Sequence, residues 1–171
     1  ALSMTSEHST HAAVGNSPVS IWLFLITFTL VFYGMGASFV ESFVNYPTWK
    51  LVGAAEFRDF HQALGPLIIG YMVIPVFLAI PLTAMLLWKR PAPIPRWAIW
   101  LALAMQMIGA ISSFAIQIPI QRELSSNGLS IALIDELIST NFWYRRIPMF
   151  INSVLFFWMM SLLLRKNAAK I

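Results

Sequence analysis

Three observations predict an all-α fold, an integral membrane four-helix bundle with short interfacial helices on its outer side. Hydrophobic residues make up 58% of the 171-residue chain and charged residues only 11%, which leaves too little polar surface for a soluble domain. Four stretches, 19–40, 63–88, 97–120 and 147–164, are long and apolar enough for a hydrocarbon core that takes ~20 helical residues. Charge is also segregated. Six of the seven carboxylates fall between Glu41 and Glu136, whereas Lys89, Arg90 and Arg96 share one short loop and Arg165, Lys166 and Lys170 end the chain. The positive-inside rule then places both termini in the cytoplasm, for a multi-pass protein of the bacterial inner membrane. Residues 1–18 form a polar tail, 19–164 the membrane domain and 165–171 a basic cytoplasmic tail.

The apolar run after the tail lacks a basic flank, which argues against a cleaved signal peptide. In the first span Gly34 and Ser38 have the small-residue spacing of closely packed membrane helices. Glu41 and Asn45 continue that face. Pro47 is expected to end the helix at Asn45, because proline disfavours helix in the residue before it.

Residues 48–62 read as an amphipathic segment, with Trp49 and Phe57 at an interface and His61 where the chain enters the membrane. The second span holds Pro66, Pro75 and Pro81, which predict bends or an opened backbone. A proline-rich hairpin flanked by Trp88, Trp97 and Trp100 leads to the third span. There Gln106, Ser113, Gln117 and Gln121 form one polar stripe that must face protein or trapped water. Asn127-Gly128 marks a turn, and 130–140 has the apolar spacing of a short helix lying on the outer surface. The fourth span opens with Arg145, Arg146 and Pro148, and Arg145, Met149 and Asn152 share a face.

The four spans therefore bring Glu41, His61, Gln117, Gln121, Arg145, Arg146 and Asn152 to a similar depth. Ionisable groups there are costly and either pair or line a wet cavity. Under the pairing reading, Glu41 joins Arg145 or Arg146 and His61 joins a carboxylate or glutamine, purely for stability. Under the chemical reading, His61 is the general acid or base, having an unperturbed pKa of ~6.5. Glu41 orients it or shares its proton, Arg145 completes the catalytic set, and Arg145 or Arg146 holds an anionic or enolate oxygen. Gln117, Gln121 and Asn152 then orient the substrate. Such a set suits proton transfer or oxygenation at an activated carbon of a lipophilic molecule.

A metal would have Glu41 and His61 as ligands and Asp59 as the nearest third, a set too thin for a metal assignment. The spacing of Glu7, His8 and His11 is chelating only if the tail is helical. With no cysteine, disulfides, thiolate metal sites and covalent haem attachment are excluded, and no motif names a cofactor. The net charge of +4 reflects membrane orientation; basic residues without interleaved aromatics do not suit nucleic acid.

From Val44 the chain reads VNYPTWKLVGAAEFRDFHQALGPLIIGYMVIP, later FAIQIPIQRELSSNG and LISTNFWYRR. Over 19–164 this order resembles small bacterial four-helix membrane proteins distantly similar to the anthrone-oxygenase-like family. The resemblance implies a four-helix bundle that oxidises a lipophilic aromatic substrate, with Glu56, Phe57, His61, Pro119, Gln121, Asn141 and Arg145 as positions of interest. The chain departs from the family pattern in having Gln121 in place of His or Asn and Phe142-Trp143 in place of Asn-Trp.

Two functions follow from these readings. One is an outward-facing polar pocket that binds, oxidises or isomerises a lipophilic small molecule. The other is a non-catalytic accessory subunit that packs against a larger membrane complex or in a homo-oligomer, using the small-residue face of the first span or Phe156, Phe157 and Trp158. A transporter is a poorer fit, since no inverted repeat or charged line crosses the membrane.

Overall fold

Each apolar stretch becomes part of a longer rod, and every rod continues as helix through an internal proline. The computed structural model describes residues 17–168. It contains four helices long and apolar enough to cross a membrane: α1 (Pro18–Trp49), α2 (Phe57–Lys89), α3 (Arg96–Asn127) and α4 (Ile131–Arg165). No strand occurs among the described residues. Ser17 caps α1, its Oγ accepting the Ser20 N–H at 3.1 Å with Pro18 in the first turn. Gly128, at φ 85°, ends α3 in a conformation open mainly to glycine. Ser130 Oγ then accepts the Leu133 N–H to begin α4.

The continuity has one recurring device. Each rod contains a five-residue π-turn: Glu41–Asn45, Ile69–Val73, Ser113–Gln117 and Phe142–Arg146. In each, the next residue's N–H bonds the carbonyl five positions back, as Tyr46 does to Glu41 and Ile118 to Ser113. The residue after that is proline every time: Pro47, Pro75, Pro119 and Pro148. Proline has no N–H, and its ring collides with the carbonyl four residues back in a regular α-turn. The wider turn removes the collision without breaking the rod. Side chains take up two of the carbonyls so released: Tyr33 Oη donates to Tyr71 O at 2.6 Å, and Ser112 Oγ to Tyr144 O at 3.4 Å.

These turns correct three expectations. The first helix does not end at Asn45 but runs to Trp49. The amphipathic stretch 48–62 is divided, with an irregular connection before a helix that starts at Phe57. The helix predicted at 130–140, observed at Ile131–Asn141, passes through the fourth π-turn into the last rod and is not a separate surface element.

α1 packs against α2 and α4, and α3 packs against the same two. Gly34 allows the closest approach of α1 and α2, since a Cβ there would lie 2.7 Å from Val76 Cγ2. Two apolar cores result. One, near the 90–95 hairpin, joins Phe24, Leu86, Ile99, Phe156 and Met159. The other, at the opposite end, joins Tyr46, Trp49, Phe57, Leu124, Ile134 and Leu137. Trp49 and Phe57 are thus core residues, not interface anchors. Trp88, Trp97 and Trp100 are exposed around the hairpin end.

Candidate functional site: a cavity between two cores

Between the cores lies a cavity of about 770 Å³, within the ~300–1,000 Å³ common for small-molecule sites. Its walls are mostly aliphatic and aromatic; Glu41, His61, Gln117, Gln121 and Ser125 lie toward the Tyr46–Trp49–Phe57 core, and Gln106 and Asn152 lie deeper, toward the hairpin. Glu41, His61, Gln117, Gln121, Arg145 and Asn152 all line it. The π-turns position several of them: Glu41 opens the first, Gln117 closes the third and Arg145 lies in the fourth.

Arg146 does not line this cavity. Its side chain is buried elsewhere, with the guanidinium carbon 6.0 Å from the Phe39 ring centroid and Nη1 4.0 Å from Met149 Sδ. The π-turn places the two consecutive arginines in different surroundings, which corrects the expectation that they are interchangeable.

His61 is held more firmly than a free base would be. Its Nε2 lies 2.7 Å from Gln121 Oε1 and its Nδ1 2.8 Å from Ser125 Oγ. With the amide oxygen as acceptor, Nε2 carries the proton and Nδ1 accepts from the serine hydroxyl. The imidazole also stacks on Phe57 at 5.6 Å and meets Trp49 edge-on at 4.9 Å. Nearby, Gln62 Nε2 donates to Ser125 O at 3.0 Å and Arg58 to Ser126 O. These bonds satisfy the last carbonyls of α3.

Glu41 therefore does not orient His61. Its Oε2 accepts from Asn45 Nδ2 at 2.6 Å, one helical turn along. The expected pairing with Arg145 or Arg146 is also absent: Lys50–Asp135, which ties the α1–α2 connection to α4, is the sole ion pair among the described residues. Asp59 is exposed, and no group of three metal-ligating side chains occurs among the described residues. Glu7, His8 and His11 lie outside them.

The polar stripe of α3 does face the cavity, since Gln106, Ser113, Gln117 and Gln121 are all in its lining. Gln106 donates to Thr83 Oγ1 at 2.9 Å. Gln117 is 2% exposed, yet neither its amide nitrogen nor its oxygen has a partner within the protein. Asn152 Oδ1 and Trp49 Nε1 are equally unpartnered and border the same space. Gln106 Oε1 is unpartnered as well. Buried polar groups are nearly always hydrogen-bonded, so four such side chains spread along one cavity, with Asn152 level with Gln106 and not with Trp49, call for an explanation.

Tyr46, Trp49 and Ser125 belong to the site and were not foreseen. Ser125 continues the stripe at a further step of four after Gln121, a signal present in the spacing. Tyr46 and Trp49 flank Pro47, where the helix was expected to stop. Of the positions singled out by resemblance, Phe57 is fully buried, Glu56 is exposed, and Asn141 donates to Ser42 Oγ at 2.5 Å. No protein-family model, curated protein or solved structure matches the chain significantly.

Proposed function

We propose that this is a multi-pass protein of the bacterial inner membrane, with cytoplasmic termini, whose four-helix bundle holds a lipophilic small molecule in the cavity beneath its outer end. One observation carries the reading: a large, mostly apolar cavity lined by buried amide and indole groups that the protein leaves without partners. Those groups would orient the polar end of a ligand while the aliphatic walls take up its body. Charge segregation supports the orientation, since the hairpin cations Lys89, Arg90 and Arg96 and Arg165 of α4 lie at the end away from Glu41 and His61. Binding is the primary role. Chemistry at His61 would require it to exchange Gln121 or Ser125 for the substrate, with Arg145 left to stabilise developing negative charge.

The test is extraction of the protein in its native lipid, followed by organic extraction and mass spectrometry of what travels with it. Gly109 lines the cavity, and a Cβ there would meet nothing within 4 Å. Gly109→Phe should therefore fill the space without a backbone clash. The wild-type protein is expected to carry one apolar compound at near-stoichiometric amount, and Gly109→Phe to lose about tenfold, or ~1.4 kcal/mol of binding. Equal amounts in the two proteins, or nothing above a control membrane protein, would overturn the reading. Unrelated polypeptides in place of a small molecule would favour the accessory-subunit role.

A further inference from the structure

We infer that the ligand is a long-chain amphiphile with a single carboxylate head, seated with its head against Arg145, Gln117 and Trp49 and its chain running towards the hairpin end. This inference rests on the proposed binding role and names the chemical class of what is bound.

The first argument is charge. Four charged residues at this end are buried or half-buried: Glu41, Lys50, Arg145 and Arg146. Asp135 pairs with Lys50, and no ion pair among the described residues involves the other three. Arg146 does not line the cavity, but it acts electrostatically on the same Glu41 carboxylate as Arg145 does, so Glu41 against two arginines leaves one positive charge in excess. A charge held away from water is costly unless paired. One monoanion closes the balance, and a dianionic phosphate would overshoot it beside the Glu41 carboxylate.

The second argument is the kind of donor present. Arg145 lines the cavity, and a guanidinium presents its N–H groups as a planar fork that matches a carboxylate. Trp49 Nε1 supplies a further donor and Gln117 an amide that can donate, both unpartnered and buried. An amine head would find Glu41 as its sole carboxylate in the lining, already accepting from Asn45.

The third is shape. The lining on α3 runs from Ser126 back to Met105, a depth of about 32 Å at ~1.5 Å per residue. A cavity of 770 Å³ drawn out over that length is narrow. Between Gln117 and Gln106 the lining is mainly aliphatic and aromatic, including Leu30, Val76, Phe77 and Ile80. Such a channel suits an extended alkyl chain.

The experiment uses the full chain in nanodiscs and photoactivatable C16 probes that differ only in the head: acid, methyl ester, alcohol and primary amine. Photolabelling of the wild type is expected to favour the acid about tenfold over ester and alcohol, a difference of ~1.4 kcal/mol. Arg145→Gln should bring the acid down to the level of the alcohol and leave alcohol labelling unchanged. Gly109→Phe should lower labelling by every probe about tenfold. Equal labelling by all heads in the wild type would overturn the acid assignment while leaving the binding role intact. Labelling by no probe, or labelling untouched by Gly109→Phe, would overturn the binding role and the assignment with it. If Arg145→Gln does not accumulate, the acid-to-ester ratio of the wild type decides alone.

Discussion

His61→Ala is expected to destabilise the protein by about 3–5 kcal/mol, from two hydrogen bonds at ~1 kcal/mol each and two aromatic contacts at ~0.5–1.5 kcal/mol each. The imidazole joins the start of α2 to the end of α3 through Gln121 and Ser125, and it fills the space between Trp49 and Phe57. Thermal unfolding in detergent measures the loss. A double-mutant cycle with Ser125→Ala should return a coupling of about 0.5–3 kcal/mol, the range for groups in one hydrogen-bond network. A His61→Ala protein as stable as the wild type would show that the ring is not a structural tie, and the reading of His61 as a free base would regain its footing.

Gly34→Leu is expected to cost a further ~1–3 kcal/mol by overpacking the contact between α1 and α2. The nearest atom to a new Cβ is Val76 Cγ2 at 2.7 Å, and a leucine extends well beyond that Cβ. Val76→Ala in the same chain should recover more than half the loss. Gly36→Ala is the matched control, because a Cβ at Gly36 meets nothing within 4 Å. Thermal unfolding of the four proteins separates the cases. If Gly36→Ala were as damaging as Gly34→Leu, helix propensity or lipid contact would be responsible, not the approach of the two rods.

Hydropathy made the four rods legible in the chain, because each must keep ~20 residues apolar whatever else it carries. The α3 stripe was legible for a related reason: glutamines at helical spacing on an apolar rod have few places to go, and the cavity is where they point. The π-turns were not legible. Pro75 was expected to bend or open the second span from within, but Pro47 reads as a stop, and the packing of Tyr46 and Trp49 with Phe57 shows the helix passing through it. The same turn hid those two residues from the site. Partnerships were less legible than depth. Glu41 and His61 do reach one cavity, but their bonds go to Asn45, Gln121 and Ser125. Which short contact forms depends on rotation about each rod, and spacing in one rod says nothing of its neighbour. Arg145 and Arg146 show this most plainly, since adjacent residues on a helix diverge by about 100°.

The space between the two cores also has a volumetric consequence. A vacancy of 770 Å³ is the room of about 25 liquid waters at ~30 Å³ each. Water settles where polar groups can hold it, so the space beside the unpartnered Gln117 and Asn152 amides hydrates before the aliphatic walls do. Dry volume is eliminated when a protein unfolds, and pressure favours whichever state occupies less. The unliganded chain should therefore yield to hydrostatic pressure sooner than its thermal stability suggests. A bound ligand, by filling the dry part, would stiffen the protein most along this one coordinate.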